Sequence, residues 1–265
     1  MNKQINRIKI YIKNSKKAKK EAEIIKNKLQ NNSFQIVEKD YNLALSIGGD
    51  GTFIKMIHEN KFNNRIYYSG INAGSLGYLI DCEKDEVDEF INKIKNNDFY
   101  LRNAYILETK IMTKNSKTTI TSFNECIIKS NNQLLLNADV YLDNELLENF
   151  VGDGLLISTP NGSTAYNLSY GGPIIDNELN ALIITSIAPL NNKIYKSLIN
   201  NLVISNSRKL IIKFKNNENI CLINDGKIVN INSVIQIECI LNKKIKHVNL
   251  HQDSLASKIN NKIIN

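Results

Sequence analysis

The chain has 265 residues, of which 42% are hydrophobic and 23% charged, and its formal net charge is +8. This composition is that of a globular protein, and the length allows one large domain or two of ordinary size. The lysines are spread along the chain, which disfavours nucleic acid as a partner, and the positive charge suits nucleotide phosphates equally well. Because no apolar run approaches the ~18 residues of a membrane span, we expect no contact with a membrane.

Strand and helix patterns alternate over the first hundred residues. Isoleucines at every second position predict a strand over 7–13, and Ser15 is placed to cap a helix that runs to about residue 30. Further strands are predicted over 34–37, 43–47 and 65–71, and further helices over 52–59 and 85–96. This alternation predicts an α/β domain over residues 1–100, with an open, mostly parallel sheet.

A glycine-rich turn, Gly48-Gly49-Asp50-Gly51-Thr52, follows the buried strand at 43–47. Its glycines let the backbone approach a ligand, and the free N–H groups of the next helix form an anion site. A carboxylate repels phosphate, so Asp50 suits proton transfer, the positioning of a hydroxyl or metal binding. The alternative is a tight turn with Asp50 as a turn former. A second loop, Asn72-Ala73-Gly74-Ser75-Leu76-Gly77, follows the next strand, at the edge where open α/β sheets bind ligands.

Short strand patterns replace the helical ones from about residue 101. They cover residues 105–113, 117–129, 134–142, 154–158, 182–187, 210–214, 220–223 and 234–241. These runs predict an all-β, sandwich-like second domain over 101–250. A C-terminal segment over 251–265 follows, and residues 253–264 are predicted to be helical.

Two polar constellations lie in this second half. Asn124-Glu125 interrupts a strand pattern, and adjacent strand residues face opposite ways, so a shared cleft would require a bulge. The alternative is an exposed polar pair. Gly152-Asp153-Gly154 forms a second glycine–carboxylate turn, and the hydroxyl-rich stretch 158–169 suits ribose, adenine and amide groups. The alternative for that stretch is a Ser/Thr turn region.

Neither the histidines nor the cysteines have the spacing of a metal site. We expect His58 to pack in its helix, and His247 and His251 to be solvated. Cysteines at 82, 126, 221 and 239 form no C-x-x-C pair, which argues against a zinc or redox site. They are predicted to be reduced thiols of a cytoplasmic protein.

Taken in order, four motifs resemble those of the NAD kinase family, the ATP- or polyphosphate-dependent NAD kinases. The motifs are Gly48-Gly49-Asp50-Gly51-Thr52, Asn72-Ala73-Gly74-Ser75-Leu76-Gly77, Asn124-Glu125, and Asp153-Gly154 with residues 158–166. The first motif alone is only moderately specific, because diacylglycerol kinases, sphingosine kinases and phosphofructokinases carry versions of it. The ordered set is highly specific.

The resemblance implies transfer of the γ-phosphate of ATP, or a phosphate of polyphosphate, to the 2′-hydroxyl of the adenosine ribose of NAD, giving NADP. It implies Mg²⁺ or another divalent cation with ATP. It also implies an α/β domain, a β-sandwich domain and a C-terminal segment that returns to the first domain. Family members are commonly homodimers or homotetramers whose NAD site borrows residues from a neighbour.

By the same resemblance, Asp50 would accept the proton, and Gly51 would lie at the diphosphate. Asn124 and Glu125 would hold an NAD ribose, and Asp153 would contact the nicotinamide end. The adenine and ribose region would be lined by Thr164, Ala165, Tyr166, Asn167, Leu168 and Ser169, with Ala188 beside it. The phosphate or ATP loop would comprise Gly48, Gly49, Gly51, Thr52, Asn72 and Gly74.

Two positions depart from the family pattern. Val151 stands where many relatives carry a basic residue, and Ser75 stands where bacterial relatives often carry histidine. Two other functions compete with the kinase interpretation. A lipid kinase would typically carry a motif like Asn-Glu-Val soon after the glycine turn, whereas Phe53-Ile54-Lys55 follows here. A catalytically silent NAD(P) sensor would not need Asp50, Asn124 and Glu125 intact.

Overall fold

The computed structural model describes residues 4–73, 77–80, 82–131, 134–252 and 255–264. The chain divides into two compact units. The first unit comprises Met1–Ala104 and Lys244–Asn265, and the second comprises Tyr105–Lys243. The first unit mixes strands and helices, whereas strands dominate the second. The predicted fold class, an α/β domain with a β-rich domain after it, is confirmed.

The first unit is built on a parallel sheet. Its elements are β1 (Arg7–Ile12), α1 (Lys16–Asn31), β2 (Gln35–Ile36), β3 (Leu43–Gly48), α2 (Asp50–Glu59), β4 (Tyr67–Asn72), β5 (Cys82–Glu83), a 3₁₀ turn (Lys84–Glu86) and α3 (Val87–Asn96). The strands lie in the order β2-β1-β3-β4, with β5 beside the end of β4, and each of these pairs is parallel. Every residue of β3 is buried, as expected for a parallel strand covered on both faces.

The first helix illustrates how the sequence forms these elements. The Ser15 side chain accepts a hydrogen bond from the N–H of Ala18 at 3.2 Å, as the capping prediction requires. The buried face of α1 carries Ala18, Ala22, Ile25 and Leu29, at helical spacing. These side chains join one apolar core with β3, β4 and α3.

The second unit is mainly antiparallel. Its elements are β6 (Tyr100–Thr113), β7 (Lys117–Ser122), β8 (Glu125–Ser130), β9 (Leu136–Leu142), β10 (Glu145–Gly152), β11 (Gly154–Ser158), a 3₁₀ turn (Pro160–Gly162), α4 (Tyr166–Ser169), β12 (Ala181–Ile187), β13 (Leu202–Ser205), β14 (Leu210–Asn224) and β15 (Lys227–Asn249). The first residues of β6 and the last residues of β15 belong to the first unit, as do α5 (Leu255–Ile259) and a π-helical turn (Asn260–Ile264), which follow β15. A large core runs through the unit, with Phe150, Ile157 and Leu222 among its fully buried side chains, and a smaller cluster comprises Ile127, Leu156 and Ile187.

Several elements differ from their predicted bounds. The predicted run 117–129 is two strands, β7 and β8, with a break at Phe123 and Asn124. The two predicted strands 210–214 and 220–223 are one strand, β14, which pairs first with β9 and then with β8. Strands β10 and β13 were not predicted, because exposed leucines and glutamates give β10 no clean alternation. Within the described ranges, no helix is both long and apolar enough to span a bilayer.

The expectation that His247 is solvated is wrong. The last residues of β15 pair in parallel with β4, and there the His247 ring is 1% exposed. Its Nδ1 lies 2.9 Å from Nη2 of Arg102, and its ring centroid lies 4.8 Å from that of Phe53 in α2. His251 is partly exposed, and its Nε2 lies 3.0 Å from a carboxylate oxygen of Glu86.

Candidate active site

The glycine turn leads directly into α2. Gly49 is the extended N-cap residue of the helix, and no side chain caps it. The helix begins at Asp50, two residues before the predicted start at Thr52. Asp50 therefore lies in the first helical turn, where the helix dipole favours a negative charge. A Cβ atom at Gly51 would meet no atom of the described residues within 4 Å, apart from its neighbours in the chain and in the helix backbone.

The Asp50 carboxylate joins the two predicted glycine loops of the first unit. Its Oδ2 accepts from the N–H of Tyr78 at 2.7 Å, and its Oδ1 accepts from the N–H of Leu79 at 3.1 Å. A Cβ atom at Gly77 would collide with Asp50 Oδ1, so this contact requires glycine at 77. The loop amides thus orient the carboxylate, which is a role that the glycine motif alone does not reveal.

The remaining predicted residues of these loops differ in their surroundings. Gly48 lies against Thr52, since a Cβ atom at 48 would come 2.5 Å from the Thr52 hydroxyl oxygen. Asn72 is buried, and its side-chain amide donates to Glu83 Oε1 at 3.1 Å. Gly74, Ser75 and Leu76 lie outside the described residues.

In the second unit, the polar pair Asn124-Glu125 lies at the break between β7 and β8. Asn124 is 8% exposed and Glu125 is 3% exposed, so the interpretation as an exposed pair is wrong. Asn124 Oδ1 and Glu125 Oε2 are both buried, and neither has a hydrogen-bond partner among the described residues. Buried polar atoms in native proteins are nearly always hydrogen-bonded. Two such oxygens on adjacent residues make the break a candidate binding site for a ligand whose polar groups can donate or accept hydrogen bonds.

The environment of Glu125 favours its protonated form. Burial and the nearby Asp225 carboxylate raise the pKa of Glu125 to about 8, and a hydrogen bond from the Tyr166 backbone N–H opposes the rise. Burial alone disfavours the charged carboxylate, and a like charge adds to that effect. A carboxyl group with such a pKa changes its charge near neutral pH, which is typical of functional sites.

The hydroxyl-rich stretch after β11 packs against this pair. Thr159 Oγ1 donates to the carbonyl of Phe123 at 2.7 Å, and the N–H of Thr159 donates to the carbonyl of Asn124 at 2.9 Å. Ser158 Oγ lies 3.2 Å from the same Asn124 oxygen. These hydrogen bonds fix the backbone of the pair, so the two hydroxyls contribute to the site indirectly.

The residues predicted to line the adenine and ribose region differ in exposure. Tyr166 is 50% exposed and its ring stacks on that of Tyr170, with 6.5 Å between the centroids. Asn167 is buried, and its amide is engaged by protein atoms: it donates to the carbonyls of Ser163 and Pro173 and accepts from Thr185 Oγ1. Asn167 thus shapes α4 from inside. Thr164, Ala165 and Leu168 are partly exposed, and Ser169 is exposed.

Asp153 and Ala188 lie at the opposite end of β11. The N–H of Asp153 donates to the carbonyl of Ile187 at 2.9 Å, and both Asp153 and Ala188 are exposed. Ala188 has a φ of 44°, a strained conformation for a residue with a Cβ. A Cβ atom at Gly152 would come 2.8 Å from the Ala188 carbonyl oxygen. Since β11 rises ~3.3 Å per residue, its two ends lie roughly 13 Å apart.

The backbone of Val151, the residue that departs from the family pattern, is held by hydrogen bonds. Its N–H donates to Ser197 Oγ at 2.8 Å, and that hydroxyl lies 3.0 Å from the Val151 carbonyl oxygen. The Val151 side chain is 5% exposed and contributes apolar volume at this position.

Comparison with known proteins shows the family to which the chain belongs. Residues 123–237 match the family model described as the ATP-NAD kinase C-terminal domain. Over 220 residues the chain is 36% identical to the NAD kinase of Finegoldia magna, an alignment that covers 81% of this chain and 80% of that protein. The chain belongs to the NAD kinase family.

A second relative is also an NAD kinase, and one solved structure has a similar fold. The NAD kinase of Staphylococcus aureus strain JH9 is 33% identical over 229 residues, covering 82% of this chain and 85% of that protein. The solved structure of yeast NADH kinase complexed with NADH has a TM-score of 0.85 at 20% identity, covering 97% of this chain and 87% of that chain. At that identity the likeness concerns the fold alone.

Proposed function

We propose that the protein transfers the γ-phosphate of ATP to the 2′-hydroxyl of the adenosine ribose of NAD, giving NADP. The observation that carries this proposal is the pair of buried oxygens, Asn124 Oδ1 and Glu125 Oε2, which have no partner in the described part of the chain. The hydroxyls of a ribose both donate and accept hydrogen bonds, so they can satisfy these atoms in either protonation state of Glu125. Membership of the NAD kinase family supports the same substrate.

In the proposed reaction, Asp50 accepts the proton of the 2′-hydroxyl. The hydroxyl oxygen forms a bond to the γ-phosphorus, the bond to the β-phosphate oxygen breaks, and ADP leaves. A positioned carboxylate contributes as a general base in such a step. The N–H groups of Tyr78 and Leu79 bind both Asp50 oxygens, which orients the carboxylate before the substrate arrives.

The phosphates of ATP would be bound by the amides of the glycine turn. We assign this role to Gly48, Gly49, Gly51, Thr52, Asn72 and Gly74. The start of α2 supplies N–H groups without a side-chain cap, which suits an anion. Phosphoryl transfer depends mainly on alignment and charge neutralisation, which loop amides can provide.

The residues of the first unit fit a Mg²⁺ ion that arrives with ATP. Among the described residues, no cluster of three or more His, Cys, Asp and Glu side chains is present. Mg²⁺ typically keeps several waters and uses one or two carboxylates together with substrate phosphates. Asp50 is the carboxylate of the turn that could contribute, and the bound ion would neutralise phosphate charge.

The other predicted roles remain part of the proposal. Asp153 and Ala188 would contact the nicotinamide end, and the exposed parts of Thr164, Ala165, Tyr166, Leu168 and Ser169 would line the adenine and ribose region. Asn167 would act by shaping that segment. Polyphosphate could replace ATP as donor. We also propose a cytoplasmic homodimer or homotetramer with an α/β domain over 1–100, an NAD-binding domain over 101–250 and a returning segment over 251–265.

One assay tests the reaction directly. The purified protein is incubated with NAD or NADH, Mg²⁺ and either ATP or polyphosphate, and the phosphorylated dinucleotide is quantified. We expect NADP from NAD with ATP. Binding of NAD without any product, from either donor, would favour the silent sensor. Phosphorylation of a diacylglycerol or sphingosine but not of NAD would favour the lipid kinase.

A further inference from the structure

The hairpin that joins β14 and β15 places a carboxylate beside the pair Asn124-Glu125. Asn224 pairs with Lys227, so Asp225 and Gly226 form a two-residue turn. Their φ values are 44° and 78°, as the tight turn of a hairpin requires. Aspartate tolerates this conformation better than most residues, which explains its presence in the turn. The turn geometry does not by itself explain where the carboxylate points.

The Asp225 carboxylate binds three consecutive backbone N–H groups at the break between β7 and β8. Oδ2 accepts from Phe123 at 2.7 Å, and Oδ1 accepts from Asn124 at 2.8 Å and from Glu125 at 3.2 Å. In return, the N–H of Asp225 donates to the carbonyl of Glu125 at 3.1 Å. One side chain thus binds the N–H groups of all three residues at the break, whereas Ser158 and Thr159 bind carbonyl groups there.

Such a break changes what the two polar side chains can do. In a regular strand, neighbouring side chains point to opposite faces, and Asn124 and Glu125 could not bind one ligand together. Here both residues are buried, and within the described ranges each has one side-chain oxygen without a partner. We propose that Asp225 is a positioning residue for the acceptor nucleotide, which holds the break so that Asn124 and Glu125 bind the same ribose. This inference rests on the proposed function.

The charge of Asp225 adds a second effect. The pKa of Glu125 is raised to about 8, mainly by burial and next by the charge of Asp225. The hydrogen bond from the Tyr166 N–H lowers this pKa. The neighbouring Cys126 thiol is fully buried, and its pKa is raised well above the ordinary value, so it is neutral. Two ribose hydroxyls donate best to an ionised carboxylate. NAD affinity should therefore increase as the pH rises through about 8.

The test compares Asp225→Asn with the wild type. Asparagine keeps the left-handed turn and one acceptor oxygen, but it removes the charge and turns an amide donor toward the Phe123 N–H. The KM for NAD is measured from pH 6.5 to 9.5, and NAD binding is followed by calorimetry. We expect the midpoint of the pH dependence to shift to lower pH. At pH 9.5, where Glu125 is ionised in both proteins, KM should stay about tenfold higher than in the wild type. The KM for ATP should not change.

Asp143 provides a matched control. It lies in the hairpin between β9 and β10 with a φ of 58°, and its carboxylate accepts from the Lys209 N–H at 2.9 Å and from Arg208 at 2.8 Å. Asp143→Asn changes the same chemistry in the same unit without touching the pair. It should keep the wild-type KM for NAD and the wild-type midpoint.

Several results would overturn the inference. If Asp225→Asn matches Asp143→Asn in both KM and midpoint, Asp225 is only a turn residue. If Asp225→Asn does not fold, Asp225→Ser is measured in the same way, and Glu125→Gln is tested with Asp225 intact. A pH midpoint near 8 that persists in Glu125→Gln would contradict the inference. Failure of the proposed function is a different outcome: the wild type would then form no NADP, and the variants would be compared by NAD binding alone.

Discussion

Asp50 is held by two backbone N–H groups of the neighbouring loop, and this contact determines how its substitution should act. Asp50→Asn cannot accept a proton, and its amide group would also face one of the two N–H donors, from Tyr78 or Leu79. We expect kcat to fall by roughly 10²–10⁴-fold, the usual contribution of a general base. Steady-state kinetics with NAD and ATP measure the loss.

The affinity for NAD and the dependence of turnover on Mg²⁺ distinguish the possible roles of Asp50. If Asp50 acts on the proton, calorimetry should show NAD affinity close to the wild type in Asp50→Asn, because the loss lies in the transition state. Recovery of turnover at high Mg²⁺ would instead assign Asp50 to metal binding. Unchanged kcat would remove Asp50 from the chemistry.

The raised pKa of Glu125 has a consequence for stability. Its value in the folded protein is about 8, against 4.5 for the ordinary group, so the folded state binds the proton more tightly. The resulting stabilisation is complete below pH 4.5 and is lost as the pH rises through about 8. Glu125→Gln cannot titrate. Its thermal unfolding temperature should therefore fall less than that of the wild type between pH 6 and pH 8.5, as measured by calorimetry without nucleotide.

At the level of elements, two glycines of the first unit should respond in opposite ways. Gly51 lies in α2 with open space around it, so Gly51→Ala should stabilise the fold by about 0.5–1 kcal/mol. A Cβ atom at Gly77 would strike the Asp50 carboxylate, so Gly77→Ala should lower both stability and activity. Since Gly51 is proposed to border the diphosphate, Gly51→Ala should still weaken nucleotide binding. Chemical denaturation and KM measurements test both variants, and equal stability changes would contradict this account.

Buried His247, at the contact between β15 and α2, should make the first unit less stable at acidic pH. Burial, followed by the charges of Arg102 and Lys258, holds the pKa of His247 well below its ordinary value of 6.5. A group with a lowered pKa contributes stability that is present above pH 6.5 and is lost as the pH falls. His247→Gln keeps an acceptor for Arg102 but cannot take up the proton. Unfolding of this variant should depend less on pH between 7 and 5, and an unchanged slope would rule out His247 as the sensor.

Most elements of the first unit could be predicted from the sequence, because their apolar periodicity and caps are local. The α1 helix and its Ser15 cap are confirmed. The break before Glu125 could not be predicted, because it depends on Asp225, 100 residues further along the chain. The burial of His247 could not be predicted for the same reason, because it depends on the pairing of β15 with β4 and on Phe53 and Arg102, all distant in sequence. An Asp-Gly pair does signal a hairpin turn, but not which backbone its carboxylate binds.

At the level of the whole molecule, exposed apolar side chains support the proposed oligomer. Ile194 is 82% exposed and Ile199 is 62% exposed, both in the second unit. Light scattering should give a mass that is a multiple of the 30.1 kDa chain. Ile194→Lys combined with Ile199→Lys should lower that mass if this surface forms the interface. Ile24→Lys is the control, since Ile24 is 46% exposed on α1 of the first unit. An active wild-type monomer at micromolar concentration would contradict the proposal.

The composition of the first unit from two separate segments has a consequence for biosynthesis. Val248 and Leu250 belong to the same core as β3 and α1, yet they leave the ribosome only after the whole second unit has been synthesised. The second unit is continuous in sequence, so it can fold while the first still lacks its final strand. At ~5–20 residues per second, synthesis of the intervening segment lasts roughly 7–28 s. During that interval the edge of β4 is not yet paired with β15. Nascent chains stalled before residue 244 should therefore be preferred substrates for chaperones and proteases.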